Sequence, residues 1–145
     1  MKNLNQFITE KFRISKDNLN KQQRDLSNAD ISKVKQLIRY KTPREENMNC
    51  VKMEQYFNKK SNPQRLVNSI KDIRKLMIRW YICVSKGYSD YYPVFKDAII
   101  ERTKFTEDQL DAYILSRYKK YKGFGKLEAN FEAYLDEYNV KYDKN

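Results

Sequence analysis

The chain has 145 residues, with 30 Lys and Arg against 19 Asp and Glu, no histidine, and a net charge of +11. That length suits one domain with a short appendage and a modest core. Without histidine there is no usual general base at neutral pH, no commonest metal ligand and no Ser/His/Asp or Cys/His triad, so most familiar hydrolase and metalloenzyme mechanisms are excluded.

Three glycines and three prolines leave few places for hairpin turns, while Lys, Glu, Leu, Ile and Tyr recur at helical spacing, so the expected class is all-α. The expected organisation is a possible targeting peptide or docking helix over 1–14, a basic helical extension and linker over 15–61, and a helical bundle domain over 62–145. In the first part, Leu4, Phe7, Ile8 and Phe12 mark one helix face. Residues 15–28 are polar apart from Leu19 and Leu26 and read as a solvated connector. A helix is predicted after Asp30, with the stripe Ile31, Val34, Leu37 and Ile38, stopping before Pro43. Another short helix is predicted from Met48 to Lys59.

The best-marked helix is predicted from Asn62 to Lys86, with Asn62 as N-cap, Pro63 at the first helical position and Gly87 just past the end. From Leu76 to Val84 every residue but Arg79 is apolar or aromatic, which makes this the expected central element. An arginine so placed needs a carboxylate partner or must reach solvent along its stem, and a structural ion pair is the expected role. Tyr92-Pro93 opens the next helix, Thr106 and Gln109 form a capping-box pattern for the one after, and the last carries Leu127, Phe131, Tyr134, Leu135 and Tyr138. The expected architecture from Asn62 to Asp143 is thus a compact bundle of about four helices, preceded by a helical N-terminal extension.

No apolar run approaches the roughly 20 residues of a bilayer-spanning helix, and the N-terminus lacks the apolar core and cleavage site of a secretory signal. No membrane association is expected. Cys50 and Cys83 lie among apolar neighbours and read as reduced thiols, not as a disulfide or zinc site. No cofactor or metal is expected.

Charge is the functional signal. Residues 1–61 hold 14 basic and 7 acidic side chains, and residues 62–145 hold 16 and 12. Such a surplus attracts polyanions, and phosphate neutralisation supplies most non-specific affinity for nucleic acid. The expected contact residues are Lys71, Arg74 and Lys75 on the central helix, and Lys119, Lys120 and Lys122 at the end of the next-to-last helix. Tyr118, Tyr121 and Phe124 alternate with the latter set and offer stacking, although Tyr118 and Tyr121 equally suit a core-facing stripe. A helix-turn-helix is disfavoured because Glu107, Asp108 and Asp111 open the second helix where bases and phosphates would approach. Those acids read as first-turn surface residues placed by the helix dipole. Lys122-Gly123-Phe124-Gly125-Lys126 lacks the phosphate-loop spacing and reads as a turn.

The opening residues, Met1-Lys2-Asn3-Leu4-Asn5-Gln6-Phe7-Ile8-Thr9-Glu10, resemble the short capsid-targeting sequence of internal head proteins of T-even-like bacteriophages. Those peptides begin Met-Lys, place Phe-Ile near the end and finish in a glutamate, after which the prohead protease cuts following a Leu-or-Ile, any residue, Glu pattern. The resemblance implies a processing site at Ile8, Thr9 and Glu10, a phage scaffold as partner, and a mature protein that keeps its +11 charge because Lys2 and Glu10 leave together. The same apolar residues equally suit a first helix docked on the body.

The expected function is that of a phage-encoded, non-enzymatic basic helical protein, virion-associated and binding nucleic acid non-specifically, in the virion interior or host cytoplasm. The alternatives are an adaptor or inhibitor of a host enzyme with an acidic surface, and a structural component of the virion.

Overall fold

The computed structural model describes residues 31–144. The proposed processing residues Ile8, Thr9 and Glu10 and the connector over 15–28 lie outside that range. Seven helices are found among the described residues: α1 (Ser32–Ile38), α2 (Pro43–Asn58), α3 (Pro63–Ser69), α4 (Ile73–Lys86), α5 (Tyr92–Arg102), α6 (Glu107–Lys120) and α7 (Lys126–Glu137). The chain is all-α over this range, but the bundle from Asn62 onward has five helices in place of about four.

The difference arises at Ile70. The apolar spacing Leu66, Val67, Ile70, Ile73 and Met77 runs through it, yet Ile70 is extended (φ −89°, ψ 111°). Two local interactions favour the break. The Asp72 carboxylate accepts the Arg74 N–H at 2.9 Å and so caps a new helix. Arg102, from α5, donates to the carbonyls of Ile70 and Val67, both at 2.6 Å, satisfying orphan acceptors at the end of α3. Helix α2 likewise begins five residues before the expected Met48, because Thr42 accepts the Glu45 N–H at 3.1 Å, Pro43 takes the first position and Glu45 and Glu46 occupy the first turn.

The other boundary signals act as their chemistry requires. Asn62 caps α3 through Arg65 N–H, and the reciprocal Thr106/Gln109 box opens α6. Gly87 ends α4 in the left-handed region (φ 76°), where a Cβ would lie 2.7 Å from Asn130 Oδ1. Asn130 itself donates to the Ser85 carbonyl at 2.7 Å, tying α7 to the end of α4.

Helix α4 is the central element. It packs against α5, α1, α2 and α7, while α3 rests on α5 and α6 bridges α7 and α1. Leu76, Met77, Ile78, Trp80, Ile82, Cys83 and Val84 are all buried, and Val34, Ile38 and Met53 from α1 and α2 join the same core. Residues 31–58 are therefore packed into the bundle. Cys50 and Cys83 are free thiols, the latter buried. Among the described residues no helix is long and apolar enough to cross a membrane.

Tyrosines fasten this core to distant main chain. Tyr91 donates to the carbonyls of Tyr56 (3.1 Å) and Ser61 (2.8 Å), and Tyr118 to that of Asp143 (2.7 Å). Burial holds the phenols of Tyr81, Tyr113 and Tyr134 above their ordinary range, and at Tyr134 the neighbouring Asp111 charge adds to it. An unfolded tyrosine ionises at about pH 10. Because the folded values are higher, the stabilisation is complete below about pH 10 and is lost as pH rises through them. We expect tyrosinate absorbance and loss of helical circular dichroism to rise together in one cooperative alkaline transition; graded ionisation near pH 10 with helicity intact would contradict this packing.

Candidate nucleic-acid interface

Two basic clefts flank the junction of α1 and α2. The larger, about 590 Å³, lies between α1, the join to α2 and α6. Buried Val34 and Ile38 fix α1 against the core, which leaves Lys35 and Arg39, four residues apart, on the cleft wall. Arg117 and Lys120 face them from α6, so four cations meet the single carboxylate of Glu46. Arg117 donates through Nε to the Tyr113 hydroxyl at 2.8 Å, and its guanidinium lies 5.4 Å and 5.3 Å from the Tyr81 and Tyr113 ring centres. This holds the arginine in one plane, with its terminal nitrogens uncommitted among the described residues. Tyr40 completes the wall, and burial raises its phenol above the ordinary range.

The smaller cleft, about 260 Å³, is formed by α2 and the first half of α4. Lys52, Arg74, Lys75 and Arg79 line it with Glu45 and Asp72. Asp72 is occupied as the helix cap, and Arg74 pairs with Glu45 and also donates to the Arg39 carbonyl. Arg74 holds the Glu45 carboxyl below its ordinary range. The Arg74 bond to the Arg39 carbonyl links a wall residue of the smaller cleft to one of the larger.

Of the residues expected from sequence, Arg74 and Lys75 line the smaller cleft and Lys120 the larger. Lys71 and Lys119 are exposed but line neither, and Lys122 lies 3.8 Å from Asp143. Sequence reasoning missed Lys35, Arg39, Lys52 and Arg117 as wall residues, because the walls come from segments far apart in the chain. The only local signal was the four-residue spacing of Lys35 and Arg39.

Two expectations about charge are corrected. Arg79 is buried, but its partner is an amide: Nε donates to Asn49 Oδ1 at 2.9 Å, and no carboxylate pairs with it among the described residues. Asp111 is no surface acid. It is 0 % exposed and accepts from Lys96 Nζ at 2.8 Å and from the Tyr134 hydroxyl at 2.7 Å. Lys96, 1 % exposed, sits 3.6 Å from Glu107 and 3.4 Å from the Tyr138 ring centre. This network ties α5, α6 and α7 together. Gly123 and Gly125 have positive φ in the turn between α6 and α7, with Phe124 exposed between them.

No protein-family model, curated protein or solved structure matches the chain.

Proposed function

We propose that this chain is a phage-encoded, non-enzymatic helical protein, associated with the virion, that binds nucleic acid non-specifically through phosphate contacts across the two clefts. The observation that carries the binding is the pair of arginines, Arg117 and Arg79, each held through Nε by a neighbour, with further cationic side chains lining each cleft. Arginine forks suit phosphate oxygens, and a fork fixed in advance loses less side-chain entropy on binding. Nearby Tyr40 adds an aromatic edge to the larger cleft, as single-strand binders use. The virion association is supported by the resemblance of residues 1–10 to capsid-targeting sequences.

A second reading, an adaptor or inhibitor engaging an acidic protein surface, is favoured by Met48 and Val51, which are exposed on α2 near Lys52. Protein interfaces combine an apolar centre with a charged rim. Fluorescence anisotropy with labelled single strands of two unrelated sequences tests the first reading. The dissociation constants should be similar and should weaken linearly in log–log form with salt. A salt-independent constant, or no binding at low salt, overturns it. A partner that co-purifies after nuclease treatment would favour the second. In purified particles, a protein mass lacking Met1 to Glu10 supports packaging.

A further inference from the structure

Arg79 is only 8 % exposed as a residue, its hydrogen-bond partner is a neutral amide, and its guanidinium lies 5.9 Å from the Tyr56 ring centre. A buried cation ordinarily requires a counter-charge, because removing it from water costs more than a single neutral hydrogen bond returns. Here the amide serves as a positioner. Asn49 Nδ2 donates to the Glu45 carbonyl at 3.0 Å, which turns its oxygen toward Arg79 Nε. Among the described residues the two terminal nitrogens of Arg79 donate to no protein hydrogen-bond partner and retain access to solvent on the wall of the 260 Å³ cleft, with Lys52 and Lys75 also lining it. Glu45 and Asp72, the carboxylates of the same cleft, are occupied by Arg74 and by the helix cap. Arg79 therefore turns its guanidinium edge to a recess that solvent reaches and that an external anion would enter.

We infer that this cleft is a seat for a phosphomonoester or free phosphate group, with Arg79 as its fork and Lys52 and Lys75 as its rim cations. Its volume is below the roughly 300–1,000 Å³ of pockets that enclose whole small molecules. A terminal phosphate, three of whose oxygens are free, can enter such a recess and meet the arginine side-on. An internal phosphodiester, carrying chain on both sides, suits the open 590 Å³ cleft instead. The inference rests on the reading that this face meets phosphate, and it names the group that the recessed end takes.

The test uses the full chain labelled with ¹⁵N and follows the Arg79 Nε–Hε signal. Inorganic phosphate should shift it saturably, and chloride at matched ionic strength should not. Arg79→Lys, which keeps the charge and loses the fork, should remove the saturable phosphate shifts of the backbone amides of Asn49 and Lys75, which line the same cleft. Because that buried substitution also perturbs packing, Lys52→Ala/Lys75→Ala at exposed positions provides the second arm and should weaken phosphate binding at least fivefold with the fold intact. A 5′-phosphorylated single strand should bind at least threefold more tightly than its 5′-hydroxyl counterpart if the source is a nucleic-acid end. Equal binding of the two, with the phosphate shift retained, assigns the seat to a free phosphorylated small molecule. Phosphate binding at Arg79 without binding of either strand would uphold the seat and refute the nucleic-acid reading. Strand binding with no saturable Arg79 shift would do the reverse.

Discussion

Lys96→Met is expected to lower the unfolding free energy by about 3–5 kcal/mol, the usual cost of removing one partner from a buried ion pair. Methionine matches the length of the lysine stem, so little cavity is created and the loss is electrostatic. The Asp111 carboxylate, fully buried, would remain beside the Tyr134 hydroxyl with Glu107 close by and without the ammonium that holds three helices around it. The faces of Tyr134 and Tyr138, now directed at the lysine nitrogen from 5.1 Å and 3.4 Å, would also lose their cation. Lys96→Met/Asp111→Asn removes both charges and should cost less than Lys96→Met alone, since no uncompensated ion is left in the core. Urea unfolding followed by the fluorescence of Trp80, buried edge-on to Tyr134 at 6.2 Å, reads both variants. For a domain whose whole stability is of the order of 5–15 kcal/mol, the single change would be severe. A loss under about 1 kcal/mol would mean that the pair behaves as a solvated surface bridge.

The same network shows where sequence reasoning reached its limit. Helix boundaries governed by local chemistry were legible: Asn62 with Pro63, Gly87, and Thr106 with Gln109 each act within a few residues of themselves. The break at Ile70 was hidden because apolar spacing continued across it, and one of its fastenings, Arg102, lies on another helix. From sequence Asp111 reads as a surface acid, because an acid in the first turns of a helix needs no further explanation than the dipole. Its burial depends on Lys96, whose position between Phe95 and Ala98 was the only hint that a lysine turned inward. The prominence of Arg79 was legible from its apolar neighbours, but the identity of its partner was not, since Asn49 sits on α2, two helices earlier in the chain. The clefts were half legible. Arg74, Lys75 and Lys120 stand out as basic residues along a single helix, whereas Lys35, Arg39 and Lys52 are brought alongside them only by the packing of α1 and α2 on the bundle.

On the proposed reading one face, and not the net charge, meets the polyanion. Lys35→Gln/Arg39→Gln/Lys120→Gln removes three of the four cations of the larger cleft and spares the Arg39 carbonyl that accepts from Arg74. Lys59→Gln/Lys104→Gln/Lys141→Gln makes the same change in charge at exposed positions that line neither cleft. Each phosphate contact contributes about 0.7 to the log–log salt slope for a single strand and about 0.9 for a duplex. The cleft variant should therefore lose about 2 from the slope with single strands and bind at least tenfold more weakly at low salt, while the control variant stays within about twofold of the parent. The most direct measurement is this paired salt titration on the same labelled strand. A selective loss of slope and affinity in the cleft variant is the predicted result, and equal losses in the two variants would contradict the existence of a coherent binding face.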